Sequence, residues 1–395
     1  MESAISIELA DIFRLHGHRL TGITAEEHHI IEQITFCRTA ALGGHALKCD
    51  VCGYEEISYN SCRNRHCPKC QSLQRAQWIE ARKAELLPVP YFHVVFTIPG
   101  ALNPVALYNK TVVYNLLFQA VSETLKQVAA NPKNLGAAIG FIALLHTWDQ
   151  RLNLHPHIHC IVPGGGLGKE NRSWIRSPEN YFLPVSILST VFRGKFLQFL
   201  DHAFDSGKLS FSGTCLKLNV QDRFKQLLKE SCRSNWVVYS RPPFAGPERV
   251  LRYLGRYTHR IAIANRRILS LSQGEVSFRY TDRKHQNQQK TTKLDVVLFM
   301  KRFLLHILPR GFVRIRHYGF LGNPAKNEAL SRCRELLAEV CPKDQTKLSA
   351  TESWQEFLLI LTGKDPTLCP HCRKGHLVIF KDLPPQKGPP RAVAA

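Results

Sequence analysis

The chain has 395 residues and a formal net charge of +22, with 53 Lys and Arg against 31 Asp and Glu. Its 44% hydrophobic content excludes a disordered chain, and its length allows two or three domains with a real core. So large a positive charge points to a polyanionic partner, nucleic acid first, and no basic amphipathic helix argues for a membrane surface instead.

In chain order, residues 1–36 read as helical. The start carries Glu2, Glu8 and Asp11 with no basic segment ahead of an apolar core, so no secretion signal is expected. The longest apolar runs, "GAAIGFIALL" and "LDVVLFM", are too short to span a bilayer. "ITAEEHHIIEQI" opens with a capping box, Thr24 with Glu27, ahead of Ile30, Ile31 and Ile34.

Thirteen cysteines in such a chain point to metal binding in a reducing compartment, and the expected setting is the cytoplasm or the nucleoid. Residues 37–72, rich in Cys, Gly, Asn and Arg, suit a small loop-built module held by metal. Within it Cys49-x2-Cys52 and Cys67-x2-Cys70 predict a structural Zn²⁺ site, because each CxxC turn aims two thiolates at one ion and two turns complete a tetrahedron. Cys37, His45, Cys62 and His66 lie close enough to replace a ligand or to build a second site. Arg63, Arg65 and Lys69 around these turns favour DNA contact over a merely solvated surface.

"LQRAQWIEARKAELLP" reads as a connecting helix closed by Pro88. "YFHVVFTIPG" alternates like a strand, and "PVALYNKTVVYNLLFQAVSETLKQVAA" is helical. Two apolar runs follow, "IGFIALLHTW" and "HIHCIVPGGG", expected as neighbouring strands. A strand turns alternate residues to one side, so His157 and His159 can grip one divalent cation while Ile158 and Cys160 face the core. "PGGGLG" has no Lys-Ser/Thr after it and so is no nucleotide loop, but a sharp turn that lets DNA or backbone approach closely.

Residues 185–232 read as two helices. "PERVLRYLGRYTHR" reads as another, with Tyr253 and Tyr257 on one face among Arg252, Arg256, His259 and Arg260. An aromatic core pair is the plain alternative; the crowd of cations favours phenols made nucleophilic. "RRILSLSQGEVSFRYTDR" alternates as a hairpin around Gln273-Gly274. From Leu251 to Phe320 the net charge is +12, with Arg314 and Arg316 near its end, and Phe278, Tyr280, Phe312, His317 and Tyr318 are offered as faces for unpaired bases. Beyond residue 325 a helix is followed by Cys369-x2-Cys372, half of a metal site that His371, His376, Cys333 or Cys341 could complete, and then by a Pro/Lys-rich end expected to be disordered.

Taken together, His157-Ile158-His159 and the later Tyr253-x3-Tyr257 helix resemble the HUH nuclease superfamily. "CRNRHCPKCQ", "LHTWDQRLNLHPHIHCIVPGGGL" and "GFVRIRHYGFL" narrow the resemblance to the rolling-circle two-tyrosine transposases of bacterial insertion sequences with an N-terminal zinc-binding domain. The resemblance implies an α+β fold: an antiparallel HUH palm of ferredoxin-like, split βαβ type with helices, plus the small zinc module. It implies domains at 1–88 (zinc-binding, DNA-contacting), 89–324 (catalytic) and 325–395 (tail). It further implies Tyr253 and Tyr257 as nucleophiles, and His157, His159 and a third group as ligands of Mg²⁺ or Mn²⁺; the motif does not name that third ligand, for which His146 is the first candidate, ahead of Gln150 and His155. The substrate would be single-stranded DNA at element ends and at the target, joined through a 5′-phosphotyrosine. A rolling-circle replication initiator, or a zinc-dependent DNA-binding regulator in which these residues are structural, are the alternatives.

Overall fold

A computed structural model of the chain describes residues 7–70, 76–79, 81–82, 85–180, 182–234, 236–241, 262–282, 285–322, 326–338 and 365–386. Its strands are, in chain order, β1 (Gly44–Cys49), β2 (Glu55–Tyr59), β3 (Tyr91–Thr97), β4 (Phe141–Trp148), β5 (Leu154–Pro163), β6 (Gly165–Leu167), β7 (Trp174–Arg176), β8 (Val237–Arg241), β9 (Ile268–Ser272), β10 (Glu275–Asp282), β11 (Gln288–Asp295), β12 (Ile315–Tyr318) and β13 (Leu377–Leu383). The chain forms two compact units, one of Met1–Glu80, His259–Leu304 and Gln345–Ala395, the other of Ala81–Thr258 and Leu305–Asp344. The segment 325–395 is therefore divided: helix Lys326–Ala338 falls in the second unit and β13 in the first.

In the first unit, the helix Ala25–Phe36 starts where its capping box places it. The Glu27 N–H donates to Thr24 Oγ1 at 3.2 Å, and the Thr24 N–H donates to the Glu27 carboxylate at 2.8 Å. β1 lies between β2 and β13, antiparallel to both. β9, β10 and β11 form a meander, and Gln273 (φ 52°) and Gly274 (φ 75°) make the two-residue left-handed turn that joins its first two strands. Phe278 and Tyr280 point into this unit's interior, and Phe278 is fully buried 5.6 Å from Phe299. They offer no open face to a base, because the alternation of β10 turns them inward.

The second unit is built on a five-stranded antiparallel sheet in the order β12-β4-β5-β3-β8. The chain runs β3, helix Lys110–Ala130, β4, β5, helices Val185–Asp205 and Gln221–Arg233, then β8. This is a split βαβ arrangement with β12 added outside β4. Period-two alternation sorts the sheet's faces. Phe92, Val94 and Phe96 of β3, Phe141, Ala143 and Leu145 of β4, and Ile158, Cys160 and Val162 of β5 join one apolar cluster with Tyr114, Leu117, Phe118 and Val121 of the first helix and Phe192 and Phe196 of the second. The alternate positions, among them His93, His146, His157 and His159, belong to the opposite face.

After β5, Gly165 (φ 144°) and Gly166 let strands pass at backbone distance. A Cβ on Gly166 would stand 2.5 Å from the Ala138 carbonyl oxygen, and one on Gly165 equally close to that of Ile175. The glycine run thus serves the close approach of β7 and of Ala138. No helix among the described residues is long and apolar enough to cross a membrane.

Candidate active site and metal centres

Register explains why three histidines meet. On β5, His157 and His159 are two apart and share a face; on β4, His146 stands directly opposite His157, and Leu144 opposite His159. The ring centroids lie 5.4 Å apart for His146 and His157, 4.5 Å for His146 and His159, and 4.8 Å for His157 and His159. One ring nitrogen from each falls within 4.8 Å of the others, and all three side chains are buried. His155, although its ring is 5.0 Å from that of His157, is not part of this group, and Gln150 lies in the loop between β4 and β5.

Two neighbours select the nitrogen that each histidine of β5 turns inward. His157 Nδ1 donates to the His155 carbonyl at 2.6 Å, which leaves Nε2 with its lone pair. His159 Nδ1 is 2.7 Å from Nε2 of His93, a buried residue of β3. With the proton on His159 Nδ1 and His93 accepting, His159 likewise presents Nε2. A ligating histidine held by its other ring nitrogen is the usual arrangement at a metal. Three neutral imidazoles fit a divalent transition ion such as Mn²⁺ better than Mg²⁺, which prefers oxygen donors.

The loop between β4 and β5 is pinned from below. Asp149 Oδ1 accepts from the N–H groups of Arg151 and Asn153, both at 2.8 Å, and Leu152 is buried at φ 64°. His306, fully buried, spans the loop's two ends: its Nδ1 is 3.2 Å from Thr147 Oγ1 and its Nε2 3.2 Å from the Leu152 carbonyl. Burial drives its pKa down to about 4, so it is the neutral ring that fits, with Nε2–H donating to Leu152 and Nδ1 accepting from Thr147.

The cysteines gather into two groups, Cys37, Cys62, Cys67 and Cys70 in one, and Cys49, Cys52, Cys369 and Cys372 in the other. The single site expected from Cys49, Cys52, Cys67 and Cys70 is not what the fold builds. Cys49 and Cys52 occupy the turn end of the β1–β2 hairpin. Cys62 to Cys70 follow its open end, where Asn60 pairs with Gly43 and Arg38 through the backbone. Five residues of strand at about 3.3 Å each separate the two ends by roughly 17 Å, beyond the reach of one ion. Within the first group the sulfur of Cys70 is 3.4 Å from that of Cys37 and 3.5 Å from that of Cys62. His45 and His66 serve elsewhere, His45 on Asp382 at 2.8 Å and His66 on Asn64.

With this geometry in hand, the comparisons with known proteins are specific. A family model described as "Transposase zinc-binding domain" matches residues 10–98, and one described as "Putative transposase" matches residues 140–329. Over 388 residues, 97% of each chain, the protein is 47% identical to "Putative transposase y4qJ" of Sinorhizobium fredii. The chain belongs to the IS91-type transposases. It is also 26% identical over 370 residues to "Transposase for insertion sequence element IS801" of Pseudomonas savastanoi pv. phaseolicola, covering 89% of this chain and 83% of that one. No solved structure matches it.

A transposase of this family cleaves DNA, and its amino-terminal region is a zinc-binding domain. Tyr253, Tyr257, Arg252, Arg256 and Arg260, singled out above, lie outside the described residues. Of the other basic candidates, Arg63 is exposed and Arg65 half-buried, while Lys69 is engaged with Glu8. Arg316 lies over the Phe118 ring at 4.1 Å and donates to Asn115 Oδ1, and Phe312 beneath it is buried. The transposase thus spends Arg316 and Phe312 on its own packing. What residue-by-residue reading missed is His93 and His306, each a lone histidine in an otherwise apolar stretch whose partner is set by strand register or by distant chain.

Proposed function

We propose that this transposase cuts and rejoins single-stranded DNA at the ends of an insertion sequence through a covalent 5′-phosphotyrosine, as the HUH resemblance implies. The observation that carries the reading is the convergence of His146, His157 and His159 on one face of the central strands of an antiparallel sheet. These three residues would hold Mn²⁺ or Mg²⁺, and a bound divalent ion would stabilise the charge that builds on a scissile phosphate. Tyr253 or Tyr257 supplies the nucleophile. Its phenolic oxygen bonds to phosphorus as the phenol's proton passes to solvent, the bond from phosphorus to the 3′ oxygen breaks, and that oxygen takes a proton from solvent, so the departing strand ends in a 3′ hydroxyl. The stored phosphodiester is nearly isoenergetic with the one broken, so a second hydroxyl can displace the tyrosine without outside energy, and two tyrosines allow the exchange to alternate.

The protein's own part is to hold three imidazoles together on a rigid sheet, with the two on β5 turning Nε2 inward. In the amino-terminal domain, Cys37, Cys62, Cys67 and Cys70 hold a structural Zn²⁺, and Arg63 and Arg65 beside it contact DNA. The reaction takes place on cytoplasmic, nucleoid-associated DNA.

Incubation with single-stranded DNA from an element end and Mn²⁺, followed by a denaturing gel, tests the reading. A protein–DNA band that requires metal, and that disappears in the Tyr253→Phe/Tyr257→Phe variant and in His157→Ala, is expected. Intact DNA binding with no such band on any end sequence would refute it and leave a DNA-binding regulator.

A further inference from the structure

The strand-transfer reading makes no use of Cys49, Cys52, Cys369 or Cys372. The first pair sits in the turn between β1 and β2, the second in the turn that leads into β13. The two turns are built alike. In the first, Cys49 N–H donates to the Tyr54 carbonyl at 2.8 Å and Gly53 N–H to the Cys49 carbonyl at 3.1 Å. In the second, Cys369 N–H donates to Gly375 at 2.8 Å and Arg373 N–H to Cys369 at 3.0 Å. In both, the residue after the second cysteine is left-handed, Gly53 at φ 72° and Arg373 at φ 55°. In both, a cysteine sulfur accepts backbone N–H groups: Cys49 Sγ from Val51 and Cys52 at 3.5 Å, and Cys372 Sγ from Gly375 at 3.4 Å.

The turns face each other across the end of the β13-β1-β2 sheet. Cys49 Sγ lies 3.7 Å from Cys372 Sγ, and Cys52 Sγ lies 3.7 Å from Cys369 Sγ. Four sulfurs each about 2.3 Å from a central zinc stand roughly 3.8 Å apart, whereas a disulfide would need about 2.05 Å. Cys52 is exposed and Cys372 half-buried, so hydrophobic packing does not explain the gathering. The backbone locks the arrangement, since Asp50 N–H donates to the His376 carbonyl and His376 N–H to Asp50 Oδ1 at 2.8 Å. Gly375 passes so near that a Cβ there would stand 2.7 Å from Cys49 Sγ.

We propose that Cys49, Cys52, Cys369 and Cys372 form a second, structural Zn²⁺ centre that completes the amino-terminal zinc-binding domain with a segment from the far end of the chain. Four thiolates in a tetrahedron select zinc over the harder ions expected at the histidines. His371 and His376 stay outside the set, His371 stacked on Tyr54 at 5.7 Å and His376 bonded to Thr367, and Cys333 is buried in the helix Lys326–Ala338. Residues 365–386 are on this account a working part of the zinc-binding domain.

The test uses the full-length protein purified from zinc-supplemented cells, with metal content measured by elemental analysis and native mass spectrometry. The Cys369→Ser/Cys372→Ser variant is expected to carry one zinc fewer per chain than the wild type, and Cys67→Ser/Cys70→Ser to lose a different one. In case the serine variant fails to fold, Cys369→His keeps a ligand and is expected to retain the metal. In the unaltered protein, Cys369 and Cys372 should resist alkylation until a chelator is added, read from their peptide by mass. A serine variant with the full wild-type zinc content, or alkylation of Cys369 and Cys372 in folded protein at the same rate with and without chelator, would overturn the proposal.

Discussion

Replacing His93 with Phe removes the group that faces His159 Nδ1 while keeping a ring in a buried place. With His159 protonated on Nδ1, the 2.7 Å contact to His93 Nε2 holds that proton in place and leaves His159 Nε2 open to a metal. In the variant, His159 either leaves a buried N–H unsatisfied or moves its proton to Nε2, which spoils the ligand. An unsatisfied buried donor costs about 1–3 kcal/mol, and at about 1.4 kcal/mol per tenfold the half-saturating Mn²⁺ concentration should rise roughly 5- to 150-fold. The assay is cleavage of single-stranded end DNA at saturating DNA, titrated with Mn²⁺. The rate at saturating metal should change much less than the metal dependence, because His93 positions a ligand and touches no substrate. His93→Gln, whose amide oxygen can accept the same bond, should restore most of the affinity. A His93→Phe protein that folds and titrates with Mn²⁺ as the wild type does would refute the tautomer argument.

Acid should weaken the fold through His306. Its proton binds near pH 6.5 when the chain is unfolded and near 4 when it is folded, so its contribution is complete above 6.5, is lost as the pH falls to 4, and amounts to about 3 kcal/mol. Lys110 adds to the depression and Asp149 opposes it. Urea unfolding at pH 7.5 and pH 4 should therefore show a stability loss smaller by about that amount in His306→Gln than in the wild type, and equal losses would count against the buried neutral ring. Arg316→Ala should lower stability by about 1–2 kcal/mol in thermal unfolding, since it strips a guanidinium from the Phe118 and Phe312 rings and a bond from Asn115, and Arg316→Lys should not repair it. Unchanged stability with weakened DNA binding would instead return Arg316 to the nucleic-acid surface.

Much of the candidate site was legible because its signals are local. The period of two in "HPHIHC" puts His157 and His159 on one face without knowledge of the sheet, and the Thr24–Glu27 box marks a helix start within four residues. His146 became readable only as far as β4 and β5 could be taken as neighbours; its place opposite His157 depends on a register that the loop between them sets. Pairing of the CxxC turns was not legible. Each turn fixes two thiolates by local geometry, but which turn meets which depends on a hairpin's length and on a strand more than three hundred residues away. Phe278 and Phe312 were misjudged for a related reason. A basic neighbourhood says that DNA is near, but strand alternation and the cluster around Phe118 decide that both rings face inward.

The pairing of β1 with β13 bears on how the protein comes into being. β1 pairs with a strand synthesised more than three hundred residues later, so one edge of β1 stays open on the ribosome until β13 has been made. A chain cut short ahead of β13 would therefore lack more than its later segment, because β1 in the amino-terminal domain would keep an unpaired edge.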